Sequence, residues 1–183
     1  MSSPRRRSNV VPSVEGAMTT RVYSVTPTWS LLSTARLLRN HHISGVPVVD
    51  PNDRVVGVVS ETDLVRELNR AAGIGSPRGT LDLLLTAGGF RSRNLLDQCL
   101  HHLRHRRVRD AMCAPAVVVD RDAPLVEAAR LLQRHGVNRL PVVEEGRLVG
   151  ILSRQDLVES MRVAGSAGPS RRGRYRRGPP SAD

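Results

Sequence analysis

A chain that repeats itself must fold twice in the same way, and this one repeats a turn of unusual chemistry. Arg54-Val55-Val56-Gly57-Val58-Val59-Ser60-Glu61-Thr62-Asp63-Leu64-Val65 returns as Arg147-Leu148-Val149-Gly150-Ile151-Leu152-Ser153-Arg154-Gln155-Asp156-Leu157-Val158. Each copy is a β-branched apolar run that breaks at a Gly and ends at Ser-x-x-Asp. A helical period follows, which predicts strand, tight turn, helix. The duplication extends upstream. Sliding by 94 residues aligns Met18–Asp50 with Met112–Glu144 without a gap. Met18, Val25, Leu31, Ala35-Arg36-Leu37-Leu38, His41 and Pro47-Val48-Val49 all recur, where chance allows about two identities in such a window. One residue fewer in the second turn changes the offset to 93 and keeps the Gly–Ser–Asp motifs in register.

Each repeat reads as β-α-β-β-α, so the fold class is α+β. A first strand (22–26, 116–120) precedes a helix cap, Thr28 or Asp122. The helix sets Leu31, Ala35 and Leu38, or Leu125, Ala129 and Leu132, on one face. Val46-Pro47-Val48-Val49 and Leu140-Pro141-Val142-Val143 form the next strands, with Pro at a strand start or edge. Hairpin turns at 50–53 and 144–146 lead into the Gly-bearing strands. The expected organisation is a disordered basic head over 1–15, repeat 1 over 16–68, an insert over 69–106 with a helix at 94–106, repeat 2 over 107–162, and a disordered Arg-rich tail over 163–183.

Ser-x-x-Asp ahead of an apolar run has two readings. As a capping box, the Ser takes a backbone N–H and the acid reaches back to close the helix end. As a ligand site, the free N–H groups and positive end of the helix suit a phosphate. The Ser hydroxyl adds a donor, and the Asp can accept both hydroxyls of a ribose. Gly57 and Gly150, without Cβ, let a flat ligand approach the strand. Two embedded copies favour the ligand.

Bulk composition narrows the alternatives. Every one of the 28 basic residues is Arg, and the net charge is +11. Much of that excess sits in Arg5, Arg6 and Arg7 and in Arg171, Arg172, Arg174, Arg176 and Arg177. With no Lys, no P-loop lysine is possible. Tyr23, Trp29, Phe90 and Tyr175 are the whole aromatic set, which disfavours a stacking surface for nucleic acid. Cys99 and Cys113 are too few for a disulfide framework. No apolar run has membrane-spanning length, and the expectation is a cytoplasmic chain without membrane association. Cys99, His101, His102 and His105 on the insert helix offer one i, i+4 His pair. The expectation there is an amphipathic helix with exposed His and no metal. Cys113 is expected to be a small, partly buried residue. No nucleophile or acid–base set stands outside the duplicated motif, so no enzyme and no catalytic residues are expected. The Arg tail is an accessory able to touch nucleic-acid phosphates without reading sequence.

The ordered set Met18, Gly45-Val46-Pro47-Val48-Val49, Gly57-Val58-Val59-Ser60-x-x-Asp63 and its second copy resembles a tandem pair of CBS domains, the module named after cystathionine β-synthase. In the second copy the set is Arg109-Asp110-Ala111-Met112, Asn138-Arg139-Leu140-Pro141-Val142-Val143 and Gly150-Ile151-Leu152-Ser153-x-x-Asp156. The resemblance implies two repeats packed about a pseudo-twofold axis, leaving two clefts for AMP, ADP, ATP or S-adenosylmethionine. It implies a regulatory, energy-sensing role with no catalytic cofactor. One cleft would join Ser60 and Asp63 to Val117 and Asn138, and the other Ser153 and Asp156 to Tyr23 and Ser44. The adenine would lie on Val46, Val59, Leu140 and Leu152, with Gly57, Val58 and Gly150 alongside. Arg139 is the cationic candidate for a phosphate. A homodimer is expected, on the argument that Leu31/Leu38 and Leu125/Leu132 need a second surface. The output would reach a regulated protein in trans or run through self-association. The alternatives are a nucleotide-independent scaffold with a polyanion-binding tail and a metal- or redox-responsive relative.

Overall fold

Two half-domains of alternating strands and helices follow one another, as the duplication requires. The computed structural model describes residues 12–72 and 93–163. Most of the basic head, the first part of the insert and the tail lie outside the described residues. The elements are α1 (Val14–Ala17), α2 (Leu31–His41), β1 (Gly45–Val49), β2 (Val55–Ser60), α3 (Glu61–Ala71), α4 (Arg93–His105), β3 (Val119–Asp120), α5 (Leu125–Arg134), β4 (Arg139–Glu144), β5 (Arg147–Ser153) and α6 (Arg154–Val163). A 3-10 turn at Val108–Asp110 precedes β3.

In each repeat the Pro-bearing strand pairs antiparallel with the Gly-bearing one, Val46 opposite Val59 and Leu140 opposite Leu152. Both ladders bulge at the equivalent place, between Val48 and Val49 and between Val142 and Val143. The hairpin turns use different chemistry for one geometry. Asp50 Oδ1 accepts the N–H groups of Asn52 and Arg54 at 2.8 and 2.9 Å, while Asp53 takes φ 62°. The shorter second turn places Glu145 at φ 51° and Gly146 at φ 78°. Pro47 lies inside its strand, not at its start. Its carbonyl accepts Val25 N–H at 3.1 Å, so its own nitrogen faces the side where only the single bridge between Val25 and Val48 is formed.

The first strands are much shorter than the apolar runs predict. Repeat 1 keeps only the parallel bridge at Val25, and repeat 2 keeps Val119–Asp120 against Val142 and Val143. The caps also move. Ser30, two residues beyond Thr28, accepts Ser33 N–H at 3.1 Å, and Pro124 takes the corresponding place in repeat 2 with no side-chain bond. Thr28 instead shares a hydrogen bond with Thr26.

Each core is closed by a segment from beyond its own repeat. Leu103, Val108, Ala111 and Met112 pack on the core of repeat 1, around Leu31, Leu38, Val46 and Val59. Val14, Ala17 and Met18 pack on the core of repeat 2, around Leu125, Leu132, Leu140 and Leu152. Val14 is fully buried and Ser13 pairs with Pro124, so ordered packing begins before residue 16. A third cluster of Val22, Val49 and Leu148 joins the halves.

The insert helix gives repeat 1 a feature that repeat 2 lacks. Glu67 of α3 is 1% exposed, and its Oε2 meets His102 Nε2 at 3.0 Å and accepts Arg106 Nε–H at 3.2 Å. Its Oε1 accepts from Arg70. Burial alone would raise this carboxyl, but the His102 bond and the Arg70 and Arg106 charges outweigh it and hold the acid below its ordinary range. The counterpart of Glu67 is Ser160, whose hydroxyl, among the described residues, bonds only to the Leu157 carbonyl.

Candidate functional site

The site is built from two strand-to-helix turns. At the first, Ser60 is extended and the chain then enters α3. Asp63 Oδ2 accepts Ser60 N–H at 2.8 Å and the Ser60 hydroxyl at 2.7 Å. At the second, Asp156 Oδ2 accepts Ser153 N–H and its hydroxyl, both at 2.7 Å, and Asp156 N–H reaches Ser153 Oγ at 3.3 Å. Capping is therefore satisfied in both repeats, and each carboxylate spends one oxygen on it.

The other oxygen separates the two turns. Asp63, 4% exposed, gives Oδ1 to Arg66 Nη1 at 2.9 Å and lies 3.9 Å from Cys113 Sγ. Asp156 is half-buried, and among the described residues its Oδ1 accepts no protein hydrogen bond. Glu159 occupies the place of Arg66. The Asp156 turn thus offers a free acceptor, and the Asp63 turn offers one only if Arg66 gives way.

The loops before the prolines close on the same turns. Ser44 C=O accepts Glu61 N–H at 3.1 Å, and Asn138 C=O accepts Arg154 N–H at 3.1 Å. Between the repeats, Arg139 Nη1 donates to the Gly45 carbonyl at 2.7 Å and Nη2 to Ser44 Oγ. Burial lowers the Arg139 guanidinium's proton affinity, and the charge of Glu61 opposes that. Tyr23 stacks on His41 with centroids 3.9 Å apart. Val117 packs against the core of repeat 2, and Asn138 is exposed. No hydrogen bond among the described residues links Ser60 or Asp63 to Val117 or Asn138. The residue that reaches Asp63 from the other repeat is Cys113, exposed rather than partly buried as expected.

Several assignments shift. Val46, Val59, Leu140 and Leu152 are at most 1% exposed and pack into the two cores; alternation does this for Val59 and Leu152, while the strands of Val46 and Leu140 are buried at consecutive positions on both faces. They cannot present a face to an adenine in this conformation. The half-buried residues between them are Val58 and Ile151. Val58 forms a two-bond bridge with Cys113, at 3.0 and 2.9 Å, and Ile151 forms one with Thr19, both at 2.9 Å. The close approach that a missing Cβ allows at the two glycines is taken by protein. A Cβ on Gly57 would lie 2.7 Å from Met112 Sδ, and one on Gly150 would lie 2.6 Å from Met18 Sδ. The recurrent Met and the recurrent Gly are therefore contact partners across the repeats, a pairing that needs the fold to be seen.

The helix faces expected to demand a dimer are also covered. Leu31, Leu38, Leu125 and Leu132 are 0, 2, 9 and 2% exposed within one chain. The outward apolar side chains are Val65 and Val158, counterparts at offset 93, with Val126 and Leu100. On α4, the His101 and His105 rings lie 4.3 Å apart, and His102 bonds Glu67. Among the described residues no group of three or more His, Cys, Asp or Glu is placed to hold a metal ion, and no helix is long and apolar enough to cross a membrane.

Two β-α-β-β-α units, each closed by the other's leading segment and each carrying Ser-x-x-Asp at a helix start, define a paired-repeat module with a turn site per repeat. Residues 14–70 and 108–163 each match the CBS domain, and the chain belongs to that family. It is 32% identical over 139 residues to uncharacterized protein MJ1426 of Methanocaldococcus jannaschii, covering 72% of this chain and 80% of that one. It is 32% identical over 162 residues to the chloroplastic CBS domain-containing protein CBSX2 of Arabidopsis thaliana, covering 84% of this chain and 67% of the relative. The crystal structure of CBSX2 in complex with AMP matches with a TM-score of 0.62 at 30% identity, over 84% of this chain and 98% of that one.

Proposed function

We propose that this chain is a non-catalytic regulatory module that binds adenosine nucleotides at its two turn sites and passes their presence to a protein in trans or to its own self-association. The observation that carries the reading is the Asp156 turn. Its carboxylate has completed its capping duty and still holds a free oxygen beside a helix N-terminus, the combination a ribose and a phosphate require. The AMP complex of CBSX2, at 30% identity, supports AMP as the first ligand to test, with ADP, ATP and S-adenosylmethionine as competitors.

Thermal unfolding with each ligand tests this. At a hundred times its dissociation constant a ligand stabilises the fold by about 2.7 kcal/mol. For a chain of this size that raises Tm by several degrees. No shift with any of the four would overturn the proposal and leave a nucleotide-independent scaffold.

A further inference from the structure

The duplication cannot stay symmetric at one place. Gly45 and Arg139 are counterparts at offset 94, as are Ser44 and Asn138, yet Arg139 reaches Ser44 and Gly45 themselves. A side chain that touches its own counterpart crosses the pseudo-twofold axis, and only one such crossing fits. At Gly45 the missing Cβ is required by the paired strand, since one there would lie 3.0 Å from the Val59 carbonyl and 3.2 Å from Ser60 Cα and Cβ, and the Gly45 carbonyl is what Arg139 reaches.

The guanidinium so placed is half-buried and bonded to two neutral acceptors. Among the described residues no carboxylate lies within ion-pair distance of it, and Glu61 is the acid whose charge acts on it. Among the described residues, three of its five N–H donors have no acceptor. The Ser44–Gly45 loop it holds also accepts Glu61 N–H, so the bond pins the loop that closes the start of α3, where Ser60 and Asp63 stand. A cation and a helix N-terminus therefore lie side by side, the guanidinium hydrogen-bonded only to neutral acceptors, with Glu61 and Asp63 as the acids of that first turn. A phosphate arriving there adds the attraction of opposite charges and a bidentate geometry that a carbonyl and a hydroxyl do not supply. It draws Arg139 away from Ser44 and Gly45. Ser44 is the residue that the family resemblance assigns to the other cleft.

We propose that Arg139 is a phosphate-operated latch between the two clefts, closed by its bonds to Ser44 and Gly45 and opened by a phosphate-bearing adenosine ligand at the Ser60–Asp63 turn. The same nucleoside without phosphate leaves it closed. This rests on reading the turns as adenosine-nucleotide sites.

The test is calorimetric titration of the full chain with AMP and with adenosine, in an Asp156→Ala background so that only the Ser60–Asp63 turn is read. AMP binds at least about tenfold more tightly than adenosine, the minimum for a charge-assisted bond. Arg139→Gln lowers that ratio several-fold, the helix N-terminus remaining as a phosphate contact, and ligand-free thermal unfolding shows that the variant is folded. Ser44→Ala, which weakens the latch and spares the cation, tightens AMP several-fold without moving adenosine. An unchanged ratio in Arg139→Gln, or an equal loss of both ligands, overturns the latch. So does an AMP affinity in Ser44→Ala that stays the same or falls. Failure of the unsubstituted chain to bind either ligand refutes the cleft reading itself, and the latch with it.

Discussion

Replacing Asp63 and Asp156 by Ala, singly, separates helix capping from the proposed ligand binding, because the capping bonds all fall on Oδ2 and the proposal places the ribose on Oδ1. In either variant the Ser N–H loses its carboxylate partner, at 2.8 Å in repeat 1 and 2.7 Å in repeat 2. A lost cap of this kind costs about 0.5–2 kcal/mol. Asp63 is the more buried and also releases Arg66, so Asp63→Ala belongs at the upper end of that range and Asp156→Ala at the lower. At about 2–4 °C per kcal/mol for a chain of this length, both variants melt lower without ligand, Asp63→Ala more so. The ligand term is separate. Loss of a charge-assisted bond to a ribose hydroxyl costs about 1.5–3 kcal/mol, roughly ten- to hundredfold in Kd. Asp156→Ala therefore combines the smaller structural penalty with a full ligand penalty. Differential scanning without ligand and calorimetry with AMP read the two terms independently. If Asp156→Ala lowers the ligand-free Tm while every AMP affinity of the unsubstituted chain is retained, the carboxylate only caps, and the reasoning fails.

Gly57→Ala forces a Cβ against Met112 Sδ and to 3.0 Å from the Cys113 carbonyl, so rotating the methionine alone does not relieve it. Overpacking of this sort costs about 1–3 kcal/mol. Chemical denaturation should show that loss, partly recovered by adding Met112→Ala. Glu67 has a folded pKa below its unfolded one, so its contribution is present above the unfolded value near 4.3 and is lost as pH falls through the folded value. Glu67→Gln should be less stable at pH 7 by about 1–3 kcal/mol and show a shallower loss on acidification, followed by urea midpoints from pH 7 to 3. Any self-association should run through the outward pair Val65 and Val158, 50 and 57% exposed, and not through the buried leucines. Val65→Asp with Val158→Asp should give a monomer by light scattering if the unsubstituted chain is a dimer. Deleting residues 165–183 removes five Arg and should abolish salt-sensitive retention on heparin while sparing AMP binding.

What the sequence makes legible is what local pattern and self-comparison can carry. The helical periods around Leu31, Leu125 and Asn94 place α2, α5 and α4 to within a residue or two. The Ser-x-x-Asp spacing places both turns, because a capping box is complete within four residues. Contacts between distant segments have no such local trace. Glu67 meets His102 and Arg106 across 35 and 39 residues, so the run of His on the insert helix reads as a solvated face until α4 is laid on α3. Met112 against Gly57 and Met18 against Gly150 leave a trace only as recurrent letters, whose partnership depends on each leading segment crossing to the other repeat. The first strands are overestimated since Val22–Thr26 and Ala116–Asp120 are apolar for packing, with Val22 and Val25 buried, while the ladder itself forms only at one or two residues. The same ambiguity touches Val46, Val59, Leu140 and Leu152, which read as cleft lining and are buried in the two cores. An apolar residue in a thin sheet faces either core or cleft, and one residue of alternation decides between them.

The most direct measurement is isothermal titration of the full chain with AMP, repeated on the Asp63→Ala, Asp156→Ala double variant. Saturable binding is expected of the unsubstituted chain and a loss of affinity of at least about tenfold in the double variant, with both proteins folded. Absence of binding by the unsubstituted chain, or equal affinity in the double variant, would contradict the proposed function.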